Sequence, residues 1–317
     1  MNTRAAIAAG LAILIVLPFL ATSYVLHVAI VVLLNVTYAA ALYAVLRMGY
    51  LSLGHAGFIA LGAYASVILS VRLGVSPWLG IPAGGLVAGL FGWGLGALTL
   101  RLRGIYFALA IFAFGEIVTA IFRAFDWFGG PAGIASVPRP TFFGTPLTSH
   151  FAFYWVVAVL AVLCIAVLYR LQFTRFGTAL LTLKAADTER LAESVGIPAA
   201  RYKTAAFTLS CVVTGMMGAV HSQYLLYVNP QAFTFSMSTD LLIYAVVGGL
   251  ASFWGPVVGA GLLTALGEQL FSIGYWKSLV YAVILMVVVL LVPGGVMDLP
   301  RLLRKRGRAA QRIREAQ

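Results

Sequence analysis

Residues 24–46 read YVLHVAIVVLLNVTYAAALYAVL, twenty-three positions without one charged side chain. At about 1.5 Å per residue such a run forms a helix long enough to cross a hydrocarbon core about 30 Å thick. Inside lipid a backbone has to satisfy its own N–H and C=O groups, and a helix does this within a single segment. A β-barrel would instead show alternating segments of about ten residues, whereas this run is apolar throughout. The stretch therefore predicts a transmembrane helix and sets the class of everything around it.

Working outward, apolar runs near 5–20, 52–71, 78–100, 105–122, 151–169, 204–225, 238–252, 256–271 and 277–292 repeat the pattern. Together they predict an all-α polytopic membrane protein with about ten transmembrane helices. Eight is the alternative, with the 238–271 hairpin or the 52–71 segment only dipping into the membrane. Composition excludes a soluble domain: of 317 residues 62% are hydrophobic and 9% charged, with mean hydropathy +1.00. A water-facing surface needs roughly 25% charged residues. Residues 5–20 also have the shape of a secretory signal core, but a second run starts at once near Tyr24, so a first span is expected.

The charges set the orientation. With a cytoplasmic N-terminus, seventeen of the 21 Lys and Arg fall in cytoplasmic segments, including Arg47, Arg101, Arg103, Arg170, Arg175 and the tail. Four fall outside: Arg72, Arg123, Arg139 and Lys277. By the positive-inside rule both termini are cytoplasmic and the span count is even. The net charge of +12 then reflects topology and anionic lipid, with no nucleic-acid partner. Residues 1–300 read as one transmembrane domain and 301–317 as a basic cytoplasmic tail. Cys164 and Cys211 lie in apolar runs as small fillers, and no metal ligand set or cofactor motif is present.

One polar segment interrupts the oily pattern. Lys184–Pro198 reads KAADTERLAESVGIP, with Asp187 or Thr188 able to cap a helix and acidic residues placed early, where the dipole favours them. Glu189 and Glu193 share one face, while Leu191 and Val195 form an apolar stripe beside it. Gly196 suits the C-terminal position and Pro198 stops the helix. Two acidic residues disfavour a helix lying on anionic headgroups, so a protein partner is expected to press on it. No GxxxxGK[ST] loop occurs in the chain, so ATP would be handled by a separate subunit.

Within this segment Glu189, Ala192 and Gly196 resemble the EAA-loop coupling helix of ABC importer permeases, while Arg190 and Leu191 stand where stricter versions carry other residues; the resemblance implies Glu189, Arg190, Leu191, Ala192, Glu193, Val195 and Gly196 as the ATPase-coupling residues. Four further segments resemble the branched-chain amino acid permease family in its LivM-type branch. They are YLSLGHAGFIALGAYAS at 50–66, LRLRGIYFALAIFAFGEI at 100–117, the segment 227–263 containing GGLASFWGP, and VPGGVMDL at 292–299. The resemblance covers roughly residues 38–299. It implies an ABC importer permease fold in a bacterial inner membrane, without catalysis by the chain itself. The implied partners are a second permease (LivH-like or another copy), two cytoplasmic ATPases and an external solute-binding protein. It points to leucine, isoleucine and valine as solutes, while relatives carry urea, short amides or aromatic acids.

Translocation-pathway candidates are Ser52, Gly54, His55, Gly57, Tyr106 and Glu116. Residues 51–66 are rich in small side chains, which permit close helix packing or an unwound backbone facing solute. For His55 a satisfied buried hydrogen-bonding role is expected. Glu116 lies deep in an apolar run and is costly there. It is either a structural acceptor, paired with His55, Arg123 or His221, or a pathway group. Gly85-xxx-Gly89, Gly92-xxx-Gly96 and Gly255-xxx-Gly259 are expected to serve packing within the chain. A secondary transporter using Glu116 and His55 as a proton relay is the competing class.

Overall fold

The computed structural model describes residues 3–102, 104–142, 144–182, 194, 198–270, 279, 282–283, 286 and 294–298. Its α-helices are α1 (Thr3–Leu20), α2 (Ser23–Leu46), α3 (His55–Val67), α4 (Pro77–Thr99), α5 (Ile105–Ala124), α6 (His150–Leu171), α7 (Arg175–Thr182), α8 (Ala199–Leu225), α9 (Phe235–Gly248) and α10 (Trp254–Gln269). Six of them are long and apolar enough to cross a membrane: α2, α3 with the turn that extends it to Arg72, α4, α5, α6 and α8. The chain is thus a polytopic helical membrane protein, and its helix ends fall within a few residues of the apolar runs. The run 277–292 falls mostly outside the described residues, and so do the tail and every proposed coupling residue from Glu189 to Gly196.

Local chemistry sets the ends. Thr22 Oγ1 accepts from Val25 N at 3.4 Å to open α2, and Ser149 Oγ accepts from Ala152 N at 3.0 Å to open α6. Such side-chain oxygens satisfy amides that no earlier turn can reach. α3 starts later than its apolar run, at His55, because 50–54 stay non-helical while Tyr50, Ser52 and Gly54 are buried. Irregular backbone at membrane depth is tolerated where protein surrounds it. At its far end α3 widens into a π-turn over Ile68–Arg72, and Ser70 Oγ donates to the Ser66 carbonyl there at 2.9 Å.

α8 is the central post, touching α2, α3 and α4 along its length. Small residues make this possible. Gly62 of α3, Gly84 of α4 and Gly215 of α8 meet at one crossing, where a Cβ on Gly84 would sit 2.6 Å from the Gly62 carbonyl oxygen and one on Gly215 2.6 Å from that of Gly84. Down the α4–α8 seam Gly85, Gly89, Gly92 and Gly96 admit Met216, Val212, Cys211 and Phe207. The glycine pairs of α4 therefore serve packing inside this chain, as expected. Gly255 and Gly259 do the same between α9 and α10, against the Gly248–Gly249 and Tyr244 backbone.

The connector between α5 and α6 holds short 3-10 turns, β1 (Ile134–Ala135) and an antiparallel ladder of β2 (Thr141–Phe142) with β3 (Thr145–Pro146), while β1 pairs antiparallel with β4 (Tyr227–Val228), which follows α8. Gly133 at φ +75° lies so close to Val228 that a Cβ would overlap its carbonyl.

Candidate functional site

The pathway candidates fall into two groups that differ in burial. The first is sealed. Ser52 and His55 have no exposed surface. His55 Nδ1 lies 3.0 Å from Ser52 Oγ, and His55 Nε2 lies 2.9 Å from Ser210 Oγ on α8. Ser210 Oγ also donates its one proton to the Ala41 carbonyl of α2 at 2.6 Å. It can therefore only accept from His55, which fixes the imidazole as the Nε2–H form and makes Ser52 the donor to Nδ1. Beside this chain, Ala56 N donates to Ser238 Oγ of α9 at 3.0 Å. His55 thus joins α2, α3 and α8 as a satisfied buried group.

Ser210→Ala is expected to orphan the His55 Nε2–H and the bond to Ala41 together. Leaving a buried donor unmade costs about 1–3 kcal/mol. Thermal unfolding of the detergent-purified protein should register the loss, and an unchanged melting temperature would contradict the assigned bonds.

Gly54 and Gly57 are buried as well, but against α5. A Cβ on Gly54 would overlap the Ile111 carbonyl of α5, and one on Gly57 would lie 2.9 Å from Gly115 Cα. These two glycines let α3 and α5 cross backbone to backbone.

The second group is open. Tyr106 is 70% exposed, and Glu116 is half-buried. Tyr106, Leu109, Ala113, Glu116 and Ala120 recur three and four apart on α5, so they share one helix face, which the described residues leave largely uncovered. The proposed partners of Glu116 are not there. His55 is engaged as above, His221 Nδ1 faces Tyr38 Oη at 3.4 Å, and the Glu116 carboxylate has no bond to Arg123 or any other described residue. The expected pairing is corrected: the two histidines are spent on hydroxyls of their own.

A further link escaped the sequence. Lys203, in the first turns of α8, is 2% exposed, and its Nζ donates to Tyr50 Oη at 3.1 Å while lying 5.1 Å from that ring's centroid. Tyr50 Oη in turn donates to the Leu100 carbonyl at 2.9 Å. Nothing in the local pattern distinguishes Lys203 from an ordinary flanking cation, or Ser210 and Ser238 from small residues placed for packing. Among the described residues no group of three His, Cys, Asp or Glu side chains is placed to hold a metal ion.

Comparison with known proteins bears on these features. A family model described as branched-chain amino acid transport system / permease component matches residues 24–292. The chain is 31% identical over 287 aligned residues to the high-affinity branched-chain amino acid transport system permease protein LivM of Salmonella typhimurium, across 82% of this chain and 67% of that protein. The LivM protein of Escherichia coli gives the same identity and coverage. No solved structure matches the chain.

Proposed function

The chain belongs to the permease-component family of branched-chain amino acid transport systems, and from that premise we propose that it is one half of the pore of an ATP-driven importer of leucine, isoleucine and valine. It is a multi-pass membrane transport subunit, and no covalent chemistry is asked of it. In this reading it sits in a bacterial inner membrane with both termini cytoplasmic. It pairs with a second permease, two ATPases acting on Glu189–Gly196, and an external binding protein.

The observation that carries a solute pathway is Glu116. A carboxylate on a membrane-spanning helix faces a bundle interior or a watery cavity, since lipid exposure costs several kcal/mol. Here it lies, half-buried, on an α5 face that the described residues leave largely uncovered. A second permease placed against that face would enclose a cavity holding Glu116 and Tyr106, where the carboxylate accepts the ammonium of an amino acid. Ser52, Gly54, His55 and Gly57 support the pathway from behind, by fixing α3 against α5 and α8.

Force has a short route to this wall. The segment 184–197 precedes α8 in the chain, and α8 bonds to Tyr50 through Lys203, to His55 and Ala41 through Ser210, and to Ser66 and Pro77 through Gln223. A stroke on the coupling segment would move α8 and α3 together, as rigid-body rocking does in other transporters.

A secondary carrier with a Glu116–His55 proton relay is disfavoured by geometry, because both ring nitrogens of His55 are already bonded to serine hydroxyls. Reconstitution separates the two classes. Proteoliposomes holding the permease pair, its ATPases and the binding protein should take up leucine only with ATP. Uptake driven by an ion gradient with no ATPase present would overturn the proposal.

A further inference from the structure

Glu116 does not stand alone on its side of α5. Arg123, in the last turn of that helix, is exposed and lies seven residues further on. Seven residues are close to two turns, so the two opposite charges share one stripe, about 10.5 Å apart along the axis. Cα–Cβ bonds tilt toward a helix N-terminus, which brings the long arginine side chain back toward Glu116. Ala120, between them, is small and exposed and leaves the gap open. The two charges do not pair with each other.

On the other side of Glu116 stands an apolar wall. Phe112 comes four residues earlier, one turn down and about 6 Å along the axis. Its ring meets that of Phe235, at the start of α9, edge to face, with centroids 5.1 Å apart and planes at 79°. Phe112 is half-buried and Phe235 is 43% exposed, so the pair borders the open face of α5 and is not sealed in the core.

Cation, anion and aromatic wall thus follow one another down a single helix. An aliphatic amino acid laid along that stripe presents its groups in the same order: carboxylate, ammonium, side chain. Arginine binds a carboxylate through charge-assisted hydrogen bonds. An aromatic wall rewards a branched side chain in proportion to the apolar area it buries. Each part also has an ordinary structural use, since a cation suits a helix C-terminus and two phenylalanines pack neighbouring helices. Those uses affect stability and are blind to the chemistry of the solute.

Resting on the reading of Glu116 as the group that accepts the ammonium, we propose that Arg123 binds the solute carboxylate and that Phe112 with Phe235 receives the branched aliphatic side chain.

The test is equilibrium binding of labelled leucine to the permease pair assembled with its ATPases in lipid nanodiscs. The external binding protein is omitted, so that its own preference does not enter. The competitors are leucinamide, which keeps the ammonium and lacks the carboxylate, and alanine, which lacks the branched chain. Arg123→Gln should weaken leucine between about tenfold and a hundredfold, the loss for a hydrogen bond to a charged group, and leave leucinamide unchanged. Phe112→Ala should weaken leucine about tenfold and alanine hardly at all, the scale on which an apolar pocket reads one or two methylene groups. The unaffected competitor shows in each case that the variant is folded. Equal losses for every solute in either variant, native leucine affinity in either, or no saturable leucine binding by the native pair would overturn the proposal. Glu116→Gln keeps the two readings apart, because it should weaken leucine and leucinamide together. If it does so while Arg123→Gln and Phe112→Ala bind leucine normally, this inference alone is lost; native leucine affinity in Glu116→Gln removes the pathway reading with it.

Discussion

Gly215→Val is expected to leave little correctly folded protein, the largest stability loss of any single substitution considered. At the Gly62–Gly84–Gly215 crossing three backbones meet with no side chain between them. A Cβ on Gly215 would fall 2.6 Å from the Gly84 carbonyl oxygen and would overlap the Ala88 methyl. Overpacking usually costs 1–3 kcal/mol because side chains shift aside. Here much of the obstacle is backbone on a helix pinned at both ends, so the penalty should reach about 3 kcal/mol or more, a large share of a typical margin of about 5–15 kcal/mol. Val also brings two further methyl groups that have nowhere to go. The control is Gly94→Ala on the same seam's partner helix: no atom lies within 4 Å of its Cβ, so its effect should stay within about 0.5 kcal/mol. Size-exclusion profiles and melting temperatures of the two variants decide the matter. Equal behaviour would mean that the three helices do not meet at this point.

How far these features can be read from the sequence depends on the range of the interaction behind each. Span positions are legible because lipid imposes a local rule, some twenty apolar residues per crossing, that each run satisfies by itself. The α4 glycines are legible for the same reason, since a four-residue spacing puts small residues on one face before any partner is known. Lys203 is the opposite case. Its spacing from the neighbouring basic residues marks it as a flanking cation of the kind that sets topology. Burial follows only because Tyr50, some 150 positions earlier, is brought to it by the folding of α3 against α8. Ser210 likewise gains its meaning from His55 and Ala41, both remote in the chain. The chemistry of His55 could be anticipated in kind, as a satisfied buried imidazole, but not in partner. For Glu116 the sequence gives the cost of burial and leaves the role open. The fold narrows it, by engaging both proposed histidine partners elsewhere and by placing the carboxylate on the same α5 face as Tyr106, which the described residues leave largely uncovered.

Glu116→Gln is expected to raise the KM for leucine uptake between about tenfold and a hundredfold while leaving membrane insertion and melting temperature unchanged. The magnitude comes from the interaction being removed: a hydrogen bond to a charged group contributes about 1.5–3 kcal/mol, and each 1.4 kcal/mol is a factor of ten in affinity. Glutamine keeps the shape and one acceptor oxygen, so it deletes charge and little else. Insertion should not suffer, because a neutral amide is easier to place in a membrane than a carboxylate. This is what separates a pathway group from a structural one. A structural acceptor would lower the melting temperature when weakened and leave KM where it was. A pathway carboxylate does the reverse, and its effect should shrink for a solute that lacks the ammonium. Measuring uptake of leucine beside a neutral branched-chain amide in the same vesicles exposes that difference directly. If both solutes keep native KM values in the Gln variant, the uncovered face of α5 does not meet the solute, and the wall of the pathway has to be sought on another helix.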